Sequence, residues 1–508
     1  MNPVLSRDEY AALARDTARP TSAWLNGKFT PARSGETFAT INPATGEHLA
    51  NITSCGKQEV DYAAKKARQA FDTGSWSRLH PSQRKERLIR WVKQLTRHRH
   101  ELTALESIES GKPVHDIATI DLPETLDCIA WCAEAADKLF GKVSPMQDDA
   151  IGMVLREPVG VAACVLPWNF PMLMMAWKVG PALAAGNSVI VKPAEQTSMT
   201  ALRMAELSLE AGLPDGVLNV VPGLGETAGR AIGEHPDIDV LSFTGSTEVG
   251  RLFLKYAADS NLKRVTLECG GKNPAVVLSD AEHLDSVAEE VVGACFWNMG
   301  QNCTSNSRLI VHQNLKDDLL ERVLIKAREW RIGDPLEPSN RLGSMVEEAH
   351  FHKVMGHIHE ARDSGANLVL GGEPVAAGSG WFIPPTIFDG VTPDMKLARE
   401  EVFGPVLAVM SVASDDEAIH LANDTCYGLQ ASLFTSSTRK ALRGARALSA
   451  GTVTVNCYGE GDITTPFGGM KLSGFGGRDN GLEAFDQYLE TKTVWVDLSD
   501  KEVDAELG

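Results

Sequence analysis

The sequence has no apolar run long enough to cross a membrane and no excess of positive charge. Its most continuous apolar stretch, residues 159–166, ends at Pro167, whereas a membrane-spanning helix needs about 20 residues. The 49 Lys and Arg residues are outnumbered by 67 Asp and Glu residues, which gives a net charge of −18. A surface of this charge repels nucleic acid and anionic membranes, so we expect neither partner. Residues 1–16 mix apolar with charged side chains, and we therefore expect no signal peptide.

A cysteine framework and a metal-ligand pattern are also missing. The nine cysteines are scattered without a repeated spacing. Cys128 and Cys132 stand four apart in a helical pattern, but no second Cys or His pair near them completes a zinc site, so we predict no metal. A long chain with many unpaired thiols is typical of a reducing compartment, and we predict a cytoplasmic protein. The question then becomes which one of the nine thiols is reactive.

Two sets of short apolar runs predict an α/β fold with two domains. At 508 residues, the chain is too long for one hydrophobic core. After 150 mainly helical residues with a short extended opening, apolar runs of strand length alternate with helical stretches, which is typical of a doubly wound, mostly parallel sheet. The boundary between the two sets lies near Gly270 and Gly271. The runs occupy residues 159–166, 188–191, 217–221 and 240–243 in the first set, and 275–278, 308–311, 406–409 and 451–455 in the second.

One cysteine and one glutamate stand where an α/β enzyme places reactive groups. Cys303 lies in the polar sequence NMGQNCT after a mostly apolar run, and a polar loop favours the thiolate whereas an apolar core does not. The alternative is an inert, buried cysteine. Glu268 ends a strand pattern and precedes Gly270 and Gly271, which indicate that the backbone comes close to another group. The alternative here is a strand-end ion pair with Lys272.

Three further segments end buried strands with polar residues. Asn169, in the turn VLPWNFP, offers a neutral amide that can hold an oxyanion, or belongs to a structured loop and no more. Lys192 and Glu195 follow the run SVIV and suit the ribose hydroxyls of a dinucleotide, or form a solvated ion pair. The turn FTGSTEVG at 243–250 begins a helix whose free N–H groups suit a pyrophosphate, or is an ordinary capped helix start. The fingerprint G-x-G-x-x-G is absent.

Taken in order, seven segments closely resemble the aldehyde dehydrogenase superfamily over nearly the whole chain. They are PWNFP, GNSVIVKPAE, FTGSTEVG, LECGGKNP, GQNC, EEVFGPV and NCYGEGDITTPFGG. The resemblance implies a Rossmann-like cofactor domain (1–140 and 159–270), an α/β catalytic domain (271–486) and a small oligomerisation β-flap (141–158 and 487–500). It also implies a homodimer or homotetramer.

The resemblance further implies a role for each matching position. Cys303 is the nucleophile, Glu268 the base that activates water, and Asn169 the oxyanion donor. Lys178 matches a residue that relays protons from the base, and Cys269 stands where the family more often has Leu. The positions that match cofactor contacts are Lys192, Glu195, Phe243, Gly245, Ser246, Glu401 and Phe403. NAD is expected over the alternative, NADP, because a carboxylate near the ribose 2′ position repels the extra phosphate, although the neighbouring lysine offsets part of this effect.

The implied reaction oxidises an aldehyde to the acid through a thiohemiacetal and a thioester on Cys303. The substrate expected is an ω-amino or guanidino aldehyde of polyamine or amine catabolism, or its γ-glutamyl derivative, since the chain most resembles the γ-glutamyl-γ-aminobutyraldehyde dehydrogenases. Matching positions put two acids at the tunnel entrance, and Gly461 replaces an aromatic residue between two carboxylates. The residues expected at the substrate are Asp121, Glu124, Trp177, Trp297, Asp462 and Phe467. The alternatives are solvated rim acids and a general aliphatic or aromatic aldehyde.

Three other functions are weighed against this one. A CoA-acylating enzyme of the same family does not need the carboxylate base Glu268. A cysteine hydrolase needs a histidine partner, and none of the 13 histidines lies in a strand-end motif. A catalytically retired family member with a structural role does not need Cys303, Glu268 and Asn169, and all three are intact.

Overall fold

The computed structural model of the protein describes residues 4–377 and 379–499. Residues 1–3 of the predicted cofactor domain and residue 500 of the predicted flap lie outside this part. The strands are β1 Ala23–Leu25, β2 Lys28–Thr30, β3 Thr37–Ile41, β4 His48–Thr53, β5 Lys142–Ser144, β6 Ala150–Pro158, β7 Val161–Val165, β8 Ser188–Lys192, β9 Leu218–Val220, β10 Val240–Thr244, β11 Arg264–Glu268, β12 Pro274–Val277, β13 Arg308–His312, β14 Asn367–Leu370, β15 Thr386–Asp389, β16 Val406–Val412, β17 Gln430–Phe434, β18 Thr452–Val455, β19 Gly474–Phe475 and β20 Leu489–Asp497.

The α-helices follow the strands in alternation over most of the chain. They are α1 Arg7–Asp16, α2 Lys57–Thr73, α3 Pro81–Arg97, α4 Arg99–Ser110, α5 Val114–Asp116, α6 Leu122–Ala135, α7 Pro171–Ala185, α8 Met199–Glu210, α9 Arg230–Glu234, α10 Thr247–Ala258, α11 Leu284–Phe296, α12 Gln313–Arg328, α13 Glu348–Asp363, α14 Lys396–Arg399, α15 Asp415–Asn423 and α16 Thr438–Ala447. No helix in the described part of the chain is both long enough and apolar enough to span a membrane.

The first sheet has the order β19-β11-β10-β7-β8-β9-β1-β2. Its strands from β11 to β9 are parallel, and β19, β1 and β2 are antiparallel additions at the edges. Register pairs Thr244 with Glu268 and Val165 with Lys192, so these strands end at one edge. The predicted doubly wound, mostly parallel sheet is confirmed, and its ligand-binding edge carries the motifs singled out above.

The second sheet has the order β14-β15-β16-β13-β12-β17-β18 and is parallel apart from β14. All its strands come from residues after the predicted boundary at 270/271. The predicted boundary does not hold for β19, which lies in the segment predicted as the catalytic domain but pairs with β11 of the first sheet. The chain therefore crosses back to the first sheet before it ends.

A three-stranded sheet of order β20-β6-β5 forms from the two segments predicted as the flap. β20 and β6 pair along their full length, from Leu489 with Pro158 to Asp497 with Ala150. Trp495 is 63% and Val143 74% exposed on this sheet. Assembly through the flap stays a prediction.

Helix α7 begins two residues after Asn169, directly after the turn that follows β7. Every residue of the helix is buried, and its composition has almost no polar side chain apart from Lys178. Pro171 begins the helix, where its missing N–H has no intrahelical partner to lose, and Gly186 ends it with φ 107°. The helix thus carries Trp177 and Lys178 through the core directly behind the Asn169 turn.

Candidate active site

A cavity of about 240 Å³ opens beyond the carboxyl ends of β7, β10 and β11. Its lining brings together predicted site residues from widely separated segments of the sequence. They are Asn169, Trp177, Gly245, Ser246, Glu268, Cys303, Glu401, Phe403 and Phe467. Nucleophile, carboxylate and amide therefore share one cavity, at the sheet edge where α/β proteins bind their ligands.

The loop that carries Cys303 has a strained backbone. Asn298, Met299 and Gly300 have φ angles of 53°, 57° and 65°, three left-handed residues in a row after α11. Non-glycine residues rarely adopt this region, and such strain is concentrated at functional sites. The Asn298 side chain donates to the Asn169 carbonyl oxygen at 3.1 Å. This bond ties the cysteine loop to the turn that carries the amide.

The thiol of Cys303 does not have the thiolate-favouring surroundings that its polar sequence predicts. Although Cys303 keeps some exposure to the cavity, desolvation raises the pKa of its thiol well above the ordinary value, and the charges of Glu460, Glu401 and Glu268 raise it further. The polar neighbours in sequence form the loop, whereas the groups nearest in space are carboxylates. Ionisation of Cys303 therefore requires that negative charge around it be compensated.

The Asn169 side chain is fixed for work in the cavity. It is buried, and its Nδ2 donates to the Gln301 carbonyl oxygen at 3.0 Å. A side-chain amide carries two N–H bonds, so the other remains to serve an oxyanion in the cavity that Asn169 lines. Its orientation is set by a backbone oxygen two residues before Cys303, which couples the positions of donor and nucleophile.

Glu268 is a buried carboxylate at the end of β11. The Gly469 N–H donates to its Oε2 at 3.2 Å. Gly468 has to be glycine, because a side chain at its φ of 156° would collide with Glu268 Oε1. Burial, followed by the charge of Asp479, raises the pKa of Glu268 well above its ordinary value. A carboxylate with a raised pKa is suited to accept a proton near neutral pH.

Lys178 lies beneath the cavity in a fully buried ion pair. Its Nζ is 3.0 Å from Asp479 Oδ2 and 3.0 Å from Ser242 Oγ. Asp479 lines the cavity while Lys178 does not. The charge of Lys178 lowers the pKa of Glu268 against the larger effects of burial and Asp479. A relay of protons through Lys178 stays a prediction.

The turn between β10 and α10 presents a helix N-terminus to the cavity. Thr244, Gly245 and Ser246 line it, and Ser246 caps the 12-residue helix by accepting the Val249 N–H at 3.2 Å. Thr244 Oγ1 is buried without a hydrogen-bond partner among the described residues. Free N–H groups at a helix start, with an unsatisfied hydroxyl beside them, fit a pyrophosphate.

Phe243 differs from its predicted role as a cofactor contact. Its ring is buried in the core with its centroid 5.1 Å from that of Phe253, and it is not part of the cavity lining. The period of the strand explains this, since Phe243 and Thr244 point to opposite faces of the sheet. A side chain on Gly245 would collide with the Phe243 ring, so Phe243 shapes the turn from below.

Lys192 and Glu195 lie at the end of β8, outside the cavity lining. Lys192 Nζ is 3.2 Å from Glu195 Oε1, in a pair that leaves the carboxylate partly exposed. Burial lowers the pKa of Lys192, and Glu195 opposes this. Contact of this pair with a ribose stays a prediction.

The glycine pair after Glu268 has the close neighbour that the sequence indicates. A side chain on Gly270 would collide with the Glu401 carboxylate, and the Gly271 N–H donates to Glu401 Oε1 at 2.8 Å. Burial raises the pKa of Glu401 to about 7. Two residues later, Phe403 has a φ of 57°, and its ring centroid lies 5.3 Å from that of Trp168. Glu401 and Phe403 thus form part of the wall of the cavity that Ser246 also lines.

One histidine, His350 of α13, lines the cavity. Its Nε2 lies 2.7 Å from the Phe403 carbonyl oxygen, and burial lowers its pKa to about 4. Its ring packs on Trp168. The histidine therefore bonds the backbone and not Cys303, which removes the geometry that a cysteine hydrolase needs.

A second pocket of about 300 Å³ adjoins the first, with Trp177 and Glu460 lining both. Four of its lining residues are acidic, and two tryptophans form its apolar part. The lining consists of Glu124, Asp127, Trp177, Trp297, Tyr458, Gly459, Glu460, Gly461, Asp462, Ile463 and Asn480. Among the described residues no group of three or more His, Cys, Asp and Glu side chains is arranged to hold a metal ion. We call this second pocket the entrance pocket.

The carboxylates of the entrance pocket differ in how they are held. Asp462 is exposed, and its Oδ1 accepts the N–H of Thr464 at 2.9 Å within its own loop. Glu124 is exposed as a side chain, yet desolvation in the pocket, followed by the charge of Glu460, raises its pKa to about 7. Glu460 accepts the Thr304 hydroxyl at 2.7 Å. The inner end of the pocket is therefore more ordered than its rim.

Asp121 does not lie at the entrance, contrary to the prediction. It is fully buried and forms an ion pair with Lys112, which is equally buried. The Lys112 ammonium also lies 3.7 Å from the centroid of the Phe170 ring. Asp121 ends a short π-helical turn before α6, and this turn directs it inward while Glu124, one turn later, stays at the surface. A buried, paired carboxylate has no charge to offer a ligand.

Several lining residues carried no sequence signal. Asp479 and Lys353 lie in stretches that match none of the strand-end patterns, and Asp127 is one acid among many on a helix. The sequence shows Glu460 beside Gly461 in one loop, but it does not show that Glu460 lines both pockets. Only the spatial meeting of α13, α6 and the loop after β18 reveals these positions.

Comparison with known proteins gives concordant matches along almost the whole chain. The model of the aldehyde dehydrogenase family matches residues 29–494. The aminoacetaldehyde dehydrogenase of Pseudomonas aeruginosa is 55% identical over 499 residues, 98% of this chain and 100% of that protein. The crystal structure of a gamma-glutamyl-gamma-aminobutyraldehyde dehydrogenase from Burkholderia cenocepacia is similar with a TM-score of 0.95 and 46% identity, over 97% of this chain and 100% of that one. A structure of a cysteine-to-alanine mutant of the indole-3-acetaldehyde dehydrogenase AldA of P. syringae, in complex with NAD+ and IAA, is similar with a TM-score of 0.96 and 44% identity, over 97% of this chain and 100% of that one.

Proposed function

The chain belongs to the aldehyde dehydrogenase family, and from this premise we propose that it oxidises a short amino- or guanidino-aldehyde to the carboxylic acid with NAD+. The choice of substrate rests on the lining of the entrance pocket, which combines four acidic residues with two tryptophans. Carboxylates attract a cationic substrate, and aromatic faces bind both its alkyl chain and its charge. Relatives named for aminoacetaldehyde and gamma-glutamyl-gamma-aminobutyraldehyde support the same class.

The first step is attack of the Cys303 thiolate on the aldehyde carbon. The S–C bond forms as the carbonyl π electrons move to oxygen. Asn169 Nδ2 and the backbone N–H of Cys303 donate to that oxyanion. Donors that are fixed before the reaction stabilise developing charge without reorganisation. The bond from Asn169 to the Gln301 oxygen, at 3.0 Å, keeps the amide in place through this step.

The residues present fit a dinucleotide. The α10 N-terminus with Ser246 and Thr244 suits the pyrophosphate, the Lys192–Glu195 pair suits the adenosine ribose, and Glu401 suits the nicotinamide ribose. When bound, NAD+ accepts the hydride that leaves the tetrahedral carbon.

Glu268 acts in the second half of the reaction, when the acyl group is held as a thioester on Cys303. Its carboxylate takes a proton from water, whose oxygen then attacks the thioester carbon and releases the acid and the cysteine sulfur. The raised pKa of Glu268, caused by burial, makes it a stronger base than an exposed carboxylate. Such a base also distinguishes the chain from a CoA-acylating enzyme.

The test compares kcat/KM for 4-aminobutyraldehyde or 4-guanidinobutyraldehyde with kcat/KM for butyraldehyde. We expect wild type to prefer the cationic aldehyde. The double variant Glu124→Gln with Asp462→Asn should lower the ratio by roughly two- to thirtyfold, since each of the two exposed charges contributes about 0.2–1 kcal/mol. The matched control is Glu321→Gln, an exposed acid on α12 that lines neither pocket. A wild type without preference refutes the cationic substrate while leaving the family intact, and a double variant with an unchanged ratio refutes the contribution of the rim carboxylates Glu124 and Asp462.

A second candidate is an aromatic aldehyde. Trp177 and Trp297 line the entrance pocket and Trp168 and Phe467 the inner cavity, and one similar structure is an indole-3-acetaldehyde dehydrogenase. Indole-3-acetaldehyde belongs in the same substrate panel. Its kcat/KM should be insensitive to the double variant because it carries no charge.

A further inference from the structure

Glu460 is the one carboxylate that lines both the inner cavity and the entrance pocket. We propose that Glu460 couples the charge of the substrate to the nucleophile: an ammonium group bound at Glu460 neutralises its carboxylate and so allows the Cys303 thiol to ionise. The cationic aldehyde would then activate its own attack. This inference rests on the proposed function, and it adds a role in activation to the expected role of acids in binding.

The position of Glu460 beside the nucleophile is fixed by hydrogen bonds. Its Oε1 accepts the hydroxyl of Thr304, the residue that follows Cys303, at 2.7 Å. The Thr304 hydroxyl lies 2.9 Å from that of Tyr458, and the Asn302 amide donates to the Tyr458 hydroxyl at 2.8 Å. Both neighbours of Cys303 in sequence thus belong to the network that holds Glu460.

The charges around Cys303 are predominantly negative. Glu460, Glu401 and Glu268 all raise the pKa of its thiol, and after desolvation Glu460 has the largest effect. The one Lys or Arg in the lining of either pocket is Lys353, which acts on Glu401. His350 has its pKa lowered to about 4 by burial, so it adds no cation above that pH.

The other charged groups that act on Glu460 leave the charge of its carboxylate largely uncompensated. Burial raises its pKa, as does Asp121, while the Thr304 hydroxyl, the Asn302 side chain and Lys112 lower it. Lys112 is itself paired with Asp121, and Glu124 adds a negative charge above its raised pKa of about 7. Glu460 forms no ion pair within the described part of the chain. A cation supplied by the substrate is the missing partner.

The coupled step is a simple ionisation. The S–H bond breaks, the proton passes to water in the cavity, and the sulfur keeps the electron pair with which it attacks the carbonyl carbon. A neutral aldehyde of equal length leaves the Glu460 charge in place, so a smaller fraction of Cys303 is ionised when it binds.

The experiment measures the pH dependence of Cys303 alkylation by iodoacetamide in the absence of aldehyde. Full-length enzyme is incubated with propylamine, which is cationic below pH 10, or with 1-propanol as its neutral counterpart. Alkylation is quantified at Cys303 itself by mass spectrometry, because Cys426 and Cys457 are also exposed. The midpoint of the rate against pH reports the thiol pKa, and any steric protection by the ligand changes only the plateau.

We expect propylamine to lower the wild-type midpoint by about one pH unit, which raises alkylation roughly tenfold below the midpoint, and 1-propanol to have no such effect. Glu460→Gln should start with the lowered midpoint and not respond to the amine. Glu460→Asp keeps the charge and should respond, and Glu321→Gln should behave as wild type. If a variant folds poorly, the comparison of propylamine with 1-propanol in the wild-type enzyme still tests the proposal.

Two outcomes overturn the proposal in different ways. Propylamine that binds by calorimetry without moving the midpoint, or a Glu460→Gln variant with the wild-type midpoint, refutes the coupling and leaves the aminoaldehyde preference standing. Propylamine that does not bind, together with equal kcat/KM for charged and neutral aldehydes, refutes the cationic substrate and the coupling with it.

Discussion

The inner cavity and the entrance pocket are both acidic, but the protein holds their side chains in different ways. In the inner cavity Glu268 and Asn169 are buried at strand ends and fixed by backbone groups, at 3.2 Å from the Gly469 N–H and 3.0 Å from the Gln301 oxygen. At the entrance Asp462 and Glu124 are exposed, and Asp462 is held only by its own loop.

This difference assigns transition-state stabilisation to the inner cavity and selection among substrates to the entrance pocket. Fixed, buried groups can stabilise a transition state, because they do not have to reorganise as charge develops. Exposed carboxylates act through a screened field, which selects among ligands but contributes little to a rate. Changes at Glu268 and Asn169, which line the inner cavity alone, should therefore affect all aldehydes alike, whereas changes at the entrance residues Glu124 and Asp462 should affect the ratio between aldehydes.

The largest effect is expected for Glu268→Gln. The amide cannot take a proton from water, so steady-state turnover should fall about 10²- to 10⁴-fold while the first turnover still produces NADH. Stopped-flow absorbance at 340 nm would record a burst followed by a slow phase, for charged and neutral aldehydes alike. The base form of wild type exists above the raised pKa of Glu268, so its deacylation rate should increase with pH, and the variant should lose this dependence. Equal losses in burst and steady state would move Glu268 to the first half-reaction.

A smaller loss, about 10²- to 10³-fold in kcat/KM, is expected for Asn169→Ala, since one oxyanion donor is removed and the Cys303 N–H remains. The ratio between 4-aminobutyraldehyde and butyraldehyde should not change, because both develop the same oxyanion. Single-turnover rates of NADH formation with the two aldehydes measure this directly. A loss below about tenfold would mean that the backbone N–H supplies nearly all of the stabilisation.

The inner cavity was largely predictable from the sequence, and the entrance was not. Glu268 and Asn169 lie at or just after the ends of buried strands, and the carboxyl ends of parallel strands meet at one sheet edge whatever the details of packing. Cys303 lies instead in the loop after α11, where its polar sequence marks it. Asp121 and Glu124 lie on one helical segment, where a single π-helical turn decides which of them faces the core. The surroundings of the Cys303 thiol were also mispredicted, since a loop sequence does not reveal that Glu460 comes from more than 150 residues away. Local pattern locates strand ends; it does not locate the charges that long-range packing brings next to them.

The smallest effect is a pH dependence of substrate preference, which should arise at the entrance alone. Desolvation and the charge of Glu460 raise the pKa of Glu124 to about 7, so Glu124 is neutral below that pH and charged above it. The preference for 4-aminobutyraldehyde over butyraldehyde should therefore be greatest above pH 7 and decrease by about two- to threefold as the pH falls to 6, a change of the size that one exposed charge contributes. The ratio of kcat/KM values at each pH cancels the titration of Cys303 and Glu268, because kcat/KM reports the pKa values of the free enzyme, which are the same for both aldehydes. Glu124→Gln should reduce the ratio at pH 8 and flatten its profile, whereas Asp462→Asn, whose pKa in wild type is lowered by the Thr464 hydroxyl, should reduce the ratio equally at both pH values. A profile that stays steep in Glu124→Gln would assign the titration to the inner cavity and contradict the division of labour between the two regions.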